Sequence, residues 1–146
     1  MRVELYSPDR MYGFAEKGDE RVFFHVESFV AGVWPGVDDP PAPIVGEEVK
    51  VDYTPNPPGT DPNRAPRAKG VERAHPPRFI KDVMESFNGE KGWDFARGDD
   101  GQSYFLHRSE VMEGRLPLQG QEVTFYAGYK KGRPRACYVQ VGNLLG

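Results

Sequence analysis

Cysteine occurs once in the chain, at Cys137, so no internal disulfide can form. A lone thiol among apolar neighbours is read as a buried core residue and fits a reducing, cytoplasmic setting. Histidine occurs three times, at scattered positions, and the spacing supports no metal site. No run of 18 apolar residues exists, so nothing reads as a membrane span. MRVELYSPDR at the start has no apolar signal core. Long helical periodicity is also missing. With 17 Gly and 14 Pro, the chain is cut into short segments. There is no Ser or Cys with a local His motif, and no glycine-rich loop leading into a helix to cradle phosphates. The expectation is a protein that is not an enzyme and needs no cofactor.

Strong charge of one sign is lacking too. The net charge is −3, and residues 1–75 carry 9 Lys+Arg against 13 Asp+Glu. Residues 76–146 carry 10 against 9. Any affinity for nucleic acid would therefore lean on stacking more than on counterion release.

What the chain does have is aromatic pairs at alternate positions. In MYGFAEKGDERVFFHV, Tyr12 and Phe14 stand two apart, and Phe23 and His25 repeat the spacing after a short glycine-containing turn. On a hairpin this spacing puts all four on one face, with Val22, Phe24 and Val26 on the other, toward a core. The pattern recurs as WDFARGDDGQSYFLHR, where Trp93 and Phe95 lie 81 residues on and Phe105 and His107 lie 82 on. GEEVKVDY and GQEVTFYA match at an offset of 74, and APRAKGV and RPRACYV at 68. Order is kept through four blocks, so the chain reads as a duplication. The shrinking offset makes two loops of the first copy eight and six residues longer, WPGVDDPPAPIVG and TPNPPGTDPNRAP.

Each copy reads as five short strands closing a small barrel. In the first they fall near Arg2–Ser7, Tyr12–Glu16, Val22–Val26, Glu48–Thr54 and Ala68–Arg73. In the second they fall near Phe79–Asn88, Trp93–Arg97, Tyr104–Arg108, Glu122–Tyr129 and Ala136–Val141. VESFV and RSEVM are each expected to form a single turn of helix. The domains are set at residues 1–74 and 78–146, joined by the short, proline-containing ERAHPPR, in which His75 reads as a solvated residue.

RMYGFAE with VFFHV, and FNGEKGWDF with YFLHR, resemble the two ribonucleoprotein motifs of the cold-shock domain, once per half. The resemblance implies two tandem OB-type barrels. It also implies binding of single-stranded RNA or DNA on the aromatic face, as an RNA chaperone or a regulator of transcription or translation. By correspondence the first platform is Tyr12, Phe14, Phe23 and His25, with Trp34 as one more stacking aromatic. The second is Trp93, Phe95, Phe105 and His107. Lys91, Lys131, Arg133 and Arg135 are the expected phosphate contacts, and Arg108 stacks or meets a phosphate. The alternative is a module that contacts proteins of the transcription or translation machinery through its acidic first half and proline-rich loops. Neither reading involves a membrane.

There are departures from the family pattern. Its first-strand Lys-Trp pair is Glu4-Leu5 and Glu85-Ser86 here, and Asp94 replaces a glycine between two outward aromatics. Alternation aims Asp94 inward, where a carboxylate needs a partner.

Overall fold

The structure, a computed structural model, describes residues 1–84, 87–112 and 116–142. It is all-β and divides into two compact units, Met1–Pro76 and Pro77–Gly146. Among the described residues no helix is long and apolar enough to cross a membrane.

The first unit has six strands: β1 (Arg2–Ser7), β2 (Tyr12–Lys17), β3 (Glu20–His25), β4 (Phe29–Val30), β5 (Val49–Tyr53) and β6 (Ala68–Arg73). They form two three-stranded sheets, ordered β1-β2-β3 and β4-β6-β5, joined by bridges Arg2↔Glu48 and Phe23↔Arg67. The two-residue β4 was not expected from the sequence. It pairs parallel with β6 after the 3₁₀ turn Val26–Ser28, in the direction β3 already takes in its parallel bridge to Arg67. Val26, expected in the core, is therefore half-buried at the start of that turn. The core is built from the residues that alternation singles out, among them Val3, Ala15, Val22, Phe24, Val49 and Val71.

In the second unit, β7 (Phe79–Val83), β8 (Trp93–Arg97), β9 (Ser103–His107), β10 (Glu122–Lys130) and β11 (Arg133–Val141) form one sheet ordered β7-β10-β11-β9-β8. Its core includes Ile80, Ala96, Tyr104, Leu106, Val123 and Phe125. The 3₁₀ turn Arg108–Glu110 follows β9 as its counterpart follows β3. Turn chemistry matches the local sequence. Gly18 opens the two-residue β2–β3 turn at φ 59°, and Lys131-Gly132 turn β10 into β11 at φ 53° and 77°. The paired positive φ values of Lys131-Gly132, and a positive φ at the first position of the β2–β3 turn, suit the twist of hairpin strands. Cys137 is buried, as expected.

Sheets of three, three and five strands differ from the two five-stranded barrels expected, and the contrast between the units lies at one seam. In the first, β1 pairs with β2 along its length, with an irregularity between Val3 and Leu5. Gly13 makes that closeness feasible: a Cβ there would collide with the Leu5 carbonyl oxygen and come within 2.8 Å of Phe24 Cζ. Backbone oxygen cannot yield as a flexible side-chain tip can. The second unit has Asp94 in that place, and among the described residues no ladder joins β7 to β8.

One side chain spans the seam instead, Asp82 of β7 to Arg97 of β8, while Asp94 holds the segment that leads into its own strand. Asp94 Oδ2 accepts the Asn88 N–H at 3.1 Å, and Asp82 Oδ2 accepts the Arg97 N–H at 2.8 Å. Asp94 also accepts its neighbour's N–H, Phe95, at 2.8 Å and is half-buried rather than sunk in the core. A cleft of about 590 Å³ opens there. The expected strand through Asn88 stops at Val83, and Glu85 and Ser86 lie outside the described residues.

Tyr104 takes the place of Val22 and brings a hydroxyl into the second core. That hydroxyl donates to Asp100 at 2.5 Å, and Arg78 donates to the same carboxylate oxygen at 2.8 Å. Asp100, in the turn after β8, thus anchors a core side chain. Burial, then the adjoining carboxylate, pushes the Tyr104 phenol from 10.0 to about 12. A raised folded pKa keeps its stabilisation below the unfolded value and loses it as pH climbs through the folded one. The urea midpoint of the second unit should fall between about pH 10 and about pH 12. Tyr104→Phe should flatten that fall while costing about 1 kcal/mol at neutral pH. An unchanged slope in the variant would remove Tyr104 as its source.

Candidate nucleic-acid interface

Each unit presents an aromatic triad on its second and third strands. In β2–β3, Phe14 pairs with Phe23 and Tyr12 with His25; in β8–β9, Phe95 pairs with Phe105 and Trp93 with His107. Ring centroids in the first unit are 6.2 Å apart for Tyr12–Phe14, 5.3 Å for Tyr12–Phe23 and 5.5 Å for Phe14–Phe23. The corresponding distances in the second are 6.0, 5.7 and 5.9 Å. Interplanar angles of 88°, 36° and 71° recur as 88°, 38° and 68°. Edge-to-face contacts, with one tilted pair in each triad, fix the rings against their neighbours. The strand residues between them, Val22 and Phe24 or Tyr104 and Leu106, are wholly buried on the opposite face.

Both histidines serve as caps. Nδ1 of His25 accepts the Glu27 N–H at 3.2 Å, and Nδ1 of His107 accepts the Ser109 N–H at 3.1 Å. An accepting Nδ1 puts the proton of the neutral ring on Nε2. The imidazole therefore holds the 3₁₀ turn with one nitrogen and offers a donor with the other. The His107 ring lies 6.1 Å from Phe105 and extends the second triad.

The cations differ between the units. Lys91 Nζ stands 5.4 Å over Trp93, and Arg135 stands 5.9 Å over Phe105 while pairing with Glu110 at 3.2 Å. Arg135 is opposite Phe105 in the parallel β11–β9 pairing. Arg133, exposed two residues earlier, and Lys131, exposed on the β10–β11 turn, continue this edge. Arg108 lies against Gly92, where a Cβ would come within 2.9 Å of its Cδ, and is exposed.

In the first unit Arg21 covers Phe14, its guanidinium carbon 3.8 Å from the ring centroid, and Glu4 pins it at 2.8 Å. Phe95 at the matching position is 55% exposed, so the second unit has the more open platform. Arg67 stands 5.9 Å over Phe23 as Arg135 does over Phe105.

Trp34 is tied to its own turn. Its indole N–H donates to the Ala31 carbonyl at 2.7 Å, and the ring lies on Gly32. Among the described residues it makes no ring contact with the triad. Three participants were missed in the sequence: Arg21, Arg67 and Tyr53. Arg67 was within reach, because APRAKGV aligns it with Arg135. Arg21 was not, since its importance comes from the Glu4 irregularity of β1. His75, read as solvated, is exposed but bonded to Glu48 at 2.8 Å, and this holds the Glu48 carboxyl below its usual range.

No protein-family model matches the chain, and no curated protein does. Among solved structures it is similar to Drosophila Unr, cold-shock domains 4-5-6, with 14% sequence identity and a TM-score of 0.36. The match covers 98% of this chain, which spans 62% of that one. A likeness this remote assigns no residue a role.

Proposed function

We propose that the chain binds single-stranded RNA or DNA as a tandem cold-shock-type protein, with an OB-type unit in each half. It would act as an RNA chaperone or as a regulator of transcription or translation. The observation that carries this is the pair of ring triads, alike in spacing and tilt, each backed by a packed core. Successive bases stack on such rings for about 1–3 kcal/mol each, with little regard to sequence. Lys91, Lys131, Arg133 and Arg135 meet phosphates in the second unit, and the Nε2 donors of His25 and His107 meet base edges. The second unit, with Phe95 open and more cations at its edge, is the stronger binder.

Tryptophan fluorescence tests this, because Trp93 is in the second triad while Trp34 is held in its own turn. Titration with single-stranded oligonucleotides should quench Trp93 saturably, and Trp34→Phe should leave the signal intact. Affinity should fall with salt, by a log–log slope of about −0.7 for each phosphate neutralised. No quenching and no anisotropy change would overturn the proposal and favour a protein-contacting module.

A further inference from the structure

The segment Thr54–Pro66, one of the two loops by which the first half outgrows the second, turns back beside the first triad. It walls a cleft of about 850 Å³ in which Phe14 and Phe23 meet Tyr53, Asp19, Glu20 and the loop. Five of the twelve residues from Pro55 to Pro66 are proline. A proline offers a carbonyl acceptor and no N–H donor.

The donors that remain are largely used inside the loop. Thr60 N–H and Oγ1 both donate to the Pro57 carbonyl, at 3.2 and 2.7 Å. Arg64 N–H donates to Asp61 O at 2.9 Å, Asn63 N–H to Asp61 Oδ1 at 2.9 Å, and Asn56 Nδ2 to Arg64 O at 2.6 Å. Across the cleft, Tyr53 spends its hydroxyl proton on Glu20 at 2.9 Å, and Arg21 is committed to Glu4. What lines the cleft is an aromatic floor with acceptor-bearing neighbours: the carboxylates of Asp19, Glu20 and Asp61, and loop prolines of which Pro57 and Pro66 already accept from Thr60 and from the Phe23 N–H. Arg64, exposed on the lining, supplies a cation for a phosphate.

We infer that this cleft is a base-selective subsite that takes cytosine or adenine and turns away uracil and thymine. The inference rests on the stacking reading and adds selectivity to it. Cytosine and uracil stack alike but differ at position 4, where one has an amino donor and the other a carbonyl acceptor. An acceptor-rich wall bonds the first and repels the second. The second unit lacks the long loop, so its platform makes no such distinction.

The test uses the full chain carrying Phe105→Ala, which disables the second triad, with an oligouridine and the same strand substituted with cytidine. Fluorescence anisotropy should show the cytidine strand binding about tenfold tighter, the scale of one hydrogen bond to a charged acceptor. Replacing residues 56–64 by a short Gly-Ser turn should abolish the preference and leave oligouridine binding in place. Glu20→Gln, which keeps the shape and adds a donor, should narrow the preference without touching the loop. Equal binding of both strands, or a preference that survives both variants, overturns the subsite and leaves stacking standing. Failure of either strand to bind even the unmutated chain overturns the stacking reading, and the subsite with it.

Discussion

Replacing Phe23 and Phe105 together by alanine is expected to lower affinity for a single-stranded oligonucleotide about a hundredfold. Two stacked bases at about 1–3 kcal/mol each account for a loss of that order, with tenfold corresponding to about 1.4 kcal/mol. Neither ring is fully buried, and their neighbours on the sheet face are other rings, so the fold should survive. The single variants should differ: Phe105→Ala removes the more open platform, and Phe23→Ala the one already shielded by Arg21. Anisotropy with melting curves on the same samples checks this. Unchanged affinity in a folded double variant would sink the stacking platform.

Glu47→Ala is expected to be the most damaging single change to stability, costing about 3–5 kcal/mol in the first unit. The Arg73 side chain is wholly buried. Glu47 accepts from its Nε at 2.7 Å and its Nη2 at 2.9 Å, and also takes the Ile44 N–H at 2.6 Å. Carbonyls of Pro41 and Ala42 accept from Nη2 at 3.0 Å, and Phe29 lies 5.1 Å from the guanidinium carbon. Removing Glu47 strands a cation where water cannot reach it, which costs more than the pair contributes. Arg73→Met, which removes the charge, should therefore cost less. Urea unfolding followed at Trp34, the first unit's own tryptophan, measures both. A loss below about 1 kcal/mol for Glu47→Ala would mean that the charge escapes to solvent.

The sequence made some of this legible and hid the rest, for physical reasons. Alternation is a local signal, so the triads and the wholly buried Val22 and Phe24 could be read directly from two hairpins. The repeat then supplied what one hairpin could not, since it showed the same spacing twice. Arg73 was illegible because its partner lies 26 residues away in a turn, and no local pattern marks a buried guanidinium. Trp34 was placed by correspondence, but the glycine beneath it lets the ring fold onto its own turn. Asp94 posed the right question, and the answer lay close by in the chain: its carboxylate takes the Asn88 N–H, at the position where Gly13 lets β1 and β2 close in the first unit.

That seam bears on how molecules of this protein meet one another. Strands with unpaired backbone groups invite a strand from a second molecule, the first step toward sheets that grow without limit. The Arg97 donor of β8 is already occupied by Asp82 of β7, and Asp94 takes the Asn88 donor just ahead of β8. An incoming copy would have to displace two hydrogen bonds and bring its own aspartates against these. The same residues that replace the missing ladder thus keep the gap from being filled by a neighbour, and the protein can hold a sheet open without becoming adhesive to itself.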